Sequence, residues 1–167
     1  NYDGNTGQTR QTWSLAHVPG PRYLDKPVWV LVGGGTFSGG EEFAYNLQAL
    51  GRATIVGATT LGGAHVFEYF PLSPTMEFII PFERAVNPVT GTNWEGTGVE
   101  PDVAVSQDEA FDTAYRAALE HVSGLETHPS IHTEAAEALA GLKRPAEDLT
   151  SMRNDIDNLL AEDTDNL

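Results

Sequence analysis

The segment from Val28 to Leu50 limits the possible folds more than any other part of the chain. Val28–Val32 is a short apolar run rich in β-branched residues, with Pro27 before it and Gly33-Gly34-Gly35 after it. Such a run fits a strand buried on both faces, as in a parallel sheet. The glycines allow a tight turn, and a helix is expected from Ser38 to Leu50. Its apolar stripe would be Phe43, Leu47 and Leu50, and Gly51 would stop it. Ala53–Val56 reads as the next buried strand. Residues 28–57 are therefore expected to form a β-α-β unit, whose crossover is normally right-handed, and the chain is placed in the α/β class.

The flanking regions are plainer. Residues 1–27 read as a polar, turn-rich lead-in with one strand around Thr12–Ala16. From Gly57 to Asp102, short alternating segments (Val66–Phe70, Met76–Pro81) between Gly, Pro and Asn suggest antiparallel hairpins or loops. A helix is expected over Phe111–Val122, starting near Ser106–Asp108. Two more amphipathic helices are expected, over Thr133–Leu142 and Pro145–Leu160, the latter with proline in its first turn. This gives three parts: a lead-in over residues 1–27, an α/β segment over 28–122 and an acidic helical tail over 123–167.

Charge sharpens the division. The chain has 24 Asp and Glu against 9 Lys and Arg, a formal net charge of −15. Residues 107–167 hold 14 of the acids and 4 of the basic residues, so −10 of the −15 lies there. A surface this acidic cannot offset phosphate repulsion, which argues against nucleic acid and anionic membranes as partners. No apolar run approaches the roughly 18 residues of a membrane span. The absence of Cys removes disulfides, thiol catalysis and Cys-ligated zinc. The acidity and the low lysine content also suit a protein kept soluble in high salt, where carboxylate repulsion is screened.

The chemistry concentrates at Gly33-Gly-Gly-Thr-Phe-Ser38-Gly-Gly-Glu-Glu-Phe. A hydroxyl at a strand-to-helix turn is exposed at the carboxyl end of the sheet, beside the free N–H groups and positive end of a helix. Ser38-x-x-Glu41 is also the pattern of a capping box, and one serine can serve both roles. A phosphate cradle is a poor fit, because no Lys follows in the P-loop position. A serine nucleophile needs a base. Lys26 enters the strand from its far end, roughly 20 Å from Ser38, and Lys143 lies in the acidic tail. Of His17, His65, His121, His128 and His132, only His65 follows the second strand in a Gly-rich loop and so shares an edge with Ser38. His128 and His132 have a metal-like spacing, but Pro129 intervenes and no third ligand is evident, so no metal or cofactor is expected.

Three ordered motifs now carry a resemblance: Thr36-Phe-Ser-Gly-Gly-Glu-Glu-Phe-Ala-Tyr-Asn-Leu, Arg52-Ala-Thr-Ile-Val-Gly-Ala-Thr-Thr-Leu-Gly-Gly-Ala-His65, and Ile80-Pro81 with Ala85-Val-Asn-Pro-Val-Thr-Gly-Thr-Asn-Trp-Glu-Gly-Thr-Gly-Val-Glu-Pro-Asp102. Over residues 10–122 the chain resembles the carboxyl-terminal (tail-specific) processing serine peptidases, in the branch of tricorn core protease and the interphotoreceptor retinoid-binding protein repeats. The resemblance implies a crotonase-like α/β core, here its carboxyl-terminal part, with the acidic helical tail added. It implies Ser38 as nucleophile forming an acyl-enzyme, the Gly39 N–H as an oxyanion donor, and Glu95 as the carboxylate that orients a histidine. In the lysine-using branch the base would fall near Gly63, where this chain has Gly62-Gly63. In the tricorn-like branch the histidine lies upstream.

No counterpart of that histidine, of the second oxyanion loop or of a PDZ-type domain occurs in this chain, which starts at Asn1. It is therefore expected to be the later half of a catalytic unit that works with an upstream half or another subunit. His65 is the alternative base within the chain. The expected partner is a peptide or protein substrate, and homo-oligomers occur in the resembled family. Many relatives act outside the cytoplasm, so the resemblance favours a periplasmic or secreted location. The competing function is a non-catalytic ligand- or peptide-binding protein on the same scaffold.

Overall fold

A computed structural model describes residues 1–142 apart from positions 14 and 16. In chain order its elements are β1 (Tyr2–Asp3), β2 (Trp29–Val32), α1 (Gly39–Ala49), β3 (Thr54–Gly57), β4 (His65–Ser73), β5 (Met76–Arg84), β6 (Val103–Ala104), α2 (Ala110–Ser123) and α3 (Pro129–Gly141). Two compact units divide them, Asn1–Ala114 and the part from Tyr115 onward.

The first unit is mixed α/β. Strands β2 and β3 pair in parallel, in register from Trp29↔Thr54 to Val32↔Gly57, with α1 as their crossover. β6 joins β3 in parallel, giving the order β2-β3-β6. The side-chain period of two sends Ile55 and Val56 of β3 to opposite faces. Ile55 enters a buried cluster with Val32, Ala44, Ala64, Trp94 and Val99, and Val56 packs with Ala110 and Ala114. β3 is thus buried on both faces, as its sequence suggests. β2 is not: Leu31 is 44% exposed. The strand lies at the sheet edge, and the group formed by Val56, Ala110 and Ala114 packs on Trp29 but leaves Leu31 open. Gly57 has φ +134, and a Cβ there would run into the carbonyl of Val32. Only glycine lets the two strand ends approach this closely.

Helix α1 corrects a second expectation. Phe43 and Leu50 are exposed, whereas the buried positions are Glu41 and Ala44. A charged residue occupies the inner face because its hydrogen bonds, described below, offset its desolvation.

The hairpin also forms, and is longer than its apolar core suggests. β4 and β5 pair antiparallel over His65–Ser73 and Met76–Arg84. Many of its apolar side chains are exposed, Phe70 among them. The lead-in joins this sheet through β1, with Tyr2 opposite Arg84 and Asp3 opposite Glu83. Of the strand expected over Thr12–Ala16, the described residues Thr12, Trp13 and Leu15 lie outside regular structure, and positions 14 and 16 are outside the described residues. The anchors of the lead-in sit elsewhere, with Arg84 over the Tyr2 ring and Arg10 paired to Glu83.

Beyond Ala114, α2 continues to Ser123 and α3 follows. α3 begins at Pro129 rather than Thr133, because His128 caps it and accepts the Ser130 N–H through Nδ1. The helix expected over Pro145–Leu160 lies outside the described residues.

Candidate active site

Ser38 stands where β2 has ended and α1 begins. Its φ is +52 and its ψ −117, and among the described residues no other non-glycine has a positive φ. A residue with a side chain is held in that region only when its surroundings over-determine it. The preceding turn is fixed by Thr36: its N–H donates to the Gly33 carbonyl at 2.9 Å, and its hydroxyl accepts the Gly33 N–H at 3.0 Å. Gly39 then opens the helix, so its N–H is among the first-turn donors that lack an intrahelical acceptor. A hydroxyl and a helix-start N–H donor thus come from adjacent residues, both exposed.

Glu41 holds this turn from beneath. Its side chain is fully buried. Oε2 accepts the N–H of Ser38 at 2.8 Å and of Gly63 at 2.9 Å. Oε1 accepts the Thr60 hydroxyl at 2.5 Å and the Gly62 N–H at 2.6 Å. Burial alone would raise the carboxyl's pKa. The Thr60 hydroxyl and the N–H groups of Gly63, Gly62 and Ser38 outweigh that and bring it below the ordinary value of 4.5. Thr60 in turn accepts the Val99 N–H at 2.7 Å. The Ser-x-x-Glu spacing reveals one of these links. The other three join α1 to a loop about twenty residues away, which spacing cannot show.

The residues that follow that loop meet a second carboxylate, Glu95. Oε2 of Glu95 accepts the N–H of Ala64 at 2.6 Å and of His65 at 2.9 Å, and Oε1 lies 3.8 Å from His65 Nδ1. Glu95 is placed by its neighbours. Asn93 accepts the Glu95 N–H at 3.0 Å and donates to the Ala85 carbonyl at 2.7 Å, while the Gly96 N–H donates to the Gly62 carbonyl at 2.9 Å. Buried Trp94 donates its indole N–H to the Gly63 carbonyl at 3.0 Å, and its ring tilts against Tyr45. Asn87 closes the preceding loop by accepting the N–H groups of Val89 and Thr90.

Ser38, Gly39 and His65 line one hollow of about 320 Å³, together with Glu42, Gly63, Ala64, Val66, Phe67, Ala85, Trp94 and Asn1. Glu95 reaches it through its contact with His65. The four residues singled out from sequence are thus gathered by two adjoining loops and the start of α1. At Gly63 an added Cβ would overlap the Phe37 ring, and at Gly62, with φ +94, it would come within 2.9 Å of the Gly98 nitrogen. The two positions nearest to where a lysine base would fall have little room for a side chain.

The family model for peptidase family S41 matches residues 2–105. A carboxy-terminal-processing protease of Bartonella bacilliformis is 35% identical over 83 residues, which are 50% of this chain and 19% of that protein. The chain therefore spans about a fifth of the length of that curated relative. Among solved structures, a photosystem II D1 C-terminal processing protease is 30% identical, with 50% of this chain and 22% of that one covered and a TM-score of 0.43. Mature CPAF complexed with lactacystin is 25% identical, with 63% and 21% covered and a TM-score of 0.48.

Proposed function

The chain belongs to peptidase family S41, and on that premise we propose that it supplies the nucleophile of a serine peptidase of the tail-specific processing type. The observation that carries the reading is the backbone of Ser38: a serine held at φ +52 between a strand and a helix, with its side chain at an exposed turn. Strained strand-to-helix turns of this kind present a nucleophile.

In the proposed reaction Ser38 Oγ attacks the peptide carbonyl carbon. Its proton passes to a histidine and then to the departing amine as the C–N bond breaks. The Gly39 N–H donates to the developing oxyanion. Water, deprotonated by the same histidine, then hydrolyses the acyl-enzyme and restores the Ser38 hydroxyl. Two histidines compete for the role of base. One is the upstream residue that the tricorn-like resemblance implies, with Glu95 orienting it. The other is His65, which the 3.8 Å approach of Glu95 to Nδ1 favours. We take the fold to be crotonase-like over residues 28–122, with residues 123–167 as an appended acidic helical tail, the substrate to be a peptide or protein, and the location to be outside the cytoplasm.

The test is labelling by a fluorophosphonate in the complete-length protein. The wild type is expected to label at one site, and Ser38→Ala to abolish it. Loss of labelling in His65→Ala selects His65 as base, whereas persistence selects the upstream histidine. A complete-length protein that does not label at all would overturn the peptidase reading and leave a binding protein on the same scaffold.

A further inference from the structure

We propose that Glu41 is the positioning residue of this site: it clamps the Ser38 turn to the Thr60–Gly63 loop, so that the nucleophile, the Gly39 N–H and the segment carrying His65 keep one relative geometry. The proposal rests on reading Ser38 as the nucleophile, and its test separates the two.

Ser38 adopts a backbone conformation that costs free energy, and its own N–H is held by Glu41 at 2.8 Å. The same oxygen holds Gly63, and the other oxygen holds Gly62 and Thr60. Gly63 directly precedes Ala64 and His65, the two residues whose N–H groups Glu95 takes. One buried carboxylate therefore links the strained turn to the loop on which the Glu95–His65 contact is built. A carboxylate is required for this. Four donors converge on two oxygens, and only an acceptor with no hydrogen of its own can meet all four. Glu41 does not line the hollow beside Ser38, so it acts through these residues rather than on substrate.

The ionisable side chains around the site are Glu41, Glu42, Glu95 and His65. The amides distinguish two of the carboxylates, because Ser38, Gly62 and Gly63 donate to Glu41, whereas Ala64 and His65 donate to Glu95.

The experiment has two arms. In the first, amide proton shifts of the full 167-residue chain are followed by NMR as pH is lowered. Ser38, Gly62 and Gly63 are expected to move together with a single midpoint below the ordinary carboxylate range. Separate midpoints for Ser38 and for the glycine pair, or no movement, overturn the clamp. This arm needs no variant and no activity. In the second arm, the rate of fluorophosphonate labelling per folded molecule is compared in complete-length wild type and Glu41→Gln. A fall of about 30-fold or more is expected, with amide exchange at Ser38, Gly62 and Gly63 accelerated at least 10-fold beyond any increase at buried Ile55, which reports the global loss of stability. A labelling rate within 3-fold of wild type reduces Glu41 to a fold-stabilising role and overturns the proposal. If wild type fails to label while the three amides titrate together, the peptidase reading falls and the clamp stands as structure alone.

Discussion

Replacing Glu41 by Gln is the change whose effect on stability can be worked out most fully. The amide can keep an oxygen at only one of the two carboxylate positions. With its NH2 toward Ser38 and Gly63, two backbone N–H groups lose their acceptor. With its NH2 toward Thr60 and Gly62, the Gly62 N–H and the Thr60 O–H lose theirs, but the Thr60 oxygen, which already accepts the Val99 N–H, can also accept the new NH2, so this orientation is preferred. Leaving two donors unpaired costs about 1–3 kcal/mol each, and the two surviving bonds lose charge assistance worth about 1 kcal/mol each. Burying a neutral group in place of a charge returns part of this, leaving a net loss of about 2–3 kcal/mol at neutral pH.

The acid limb gives a second, independent handle. Because folding lowers the Glu41 pKa, its contribution is fully present above the unfolded value of about 4.5 and is lost as pH falls through the folded value. Urea unfolding followed by circular dichroism at pH 7 and at stepped values below pH 4.5 measures both. The variant's midpoint at pH 7 is expected about 1 M lower, for a slope of about 2 kcal/mol per molar urea. Its stability should also fall less steeply with acid than the wild type's. A midpoint within 0.2 M of wild type at pH 7, or parallel acid limbs, would refute the reasoning.

Three further outcomes are expected. Ser38→Gly relieves the backbone strain at φ +52 at the cost of extra unfolded-state freedom, and should stabilise the chain by about 1 kcal/mol, read as a higher melting temperature. Trp94→Phe leaves the Gly63 carbonyl without its indole donor and a gap in the core; denaturant titration should show a loss of about 2 kcal/mol. With a formal charge of −15, the melting temperature should rise between low and molar salt as carboxylate repulsion is screened, and a flat or falling profile would dismiss a high-salt adaptation.

Where sequence reading succeeded and where it missed follow a physical pattern. The β2-α1-β3 unit was legible because its signals are local: β-branched runs, a glycine break and a helix start. α1's inner face was not, because hydrophobic periodicity assigns it to Phe43, Leu47 and Leu50, and a buried glutamate contradicts that rule until its donors are known. The lead-in misled for a related reason. Thr12, Trp13 and Leu15 lie in a segment of strand-like composition, but pairing depends on a neighbouring edge, and Tyr2–Asp3 occupies the one that β5 offers.

The sequence by itself determined a parallel β-α-β unit with a serine at its strand-to-helix turn, the paucity of lysine that left histidine as the base to look for, and the family motifs carried by residues 36 to 102. Tertiary structure alone decided that Glu41 joins Ser38 to Thr60, Gly62 and Gly63, and that Glu95 meets the Ala64–His65 segment from about thirty residues away. The reason is the range of the forces involved. Strand and helix preferences act between neighbours in the chain and leave a periodic trace in composition. A carboxylate gathering donors from distant loops depends on where those loops cross, and no local pattern encodes that crossing.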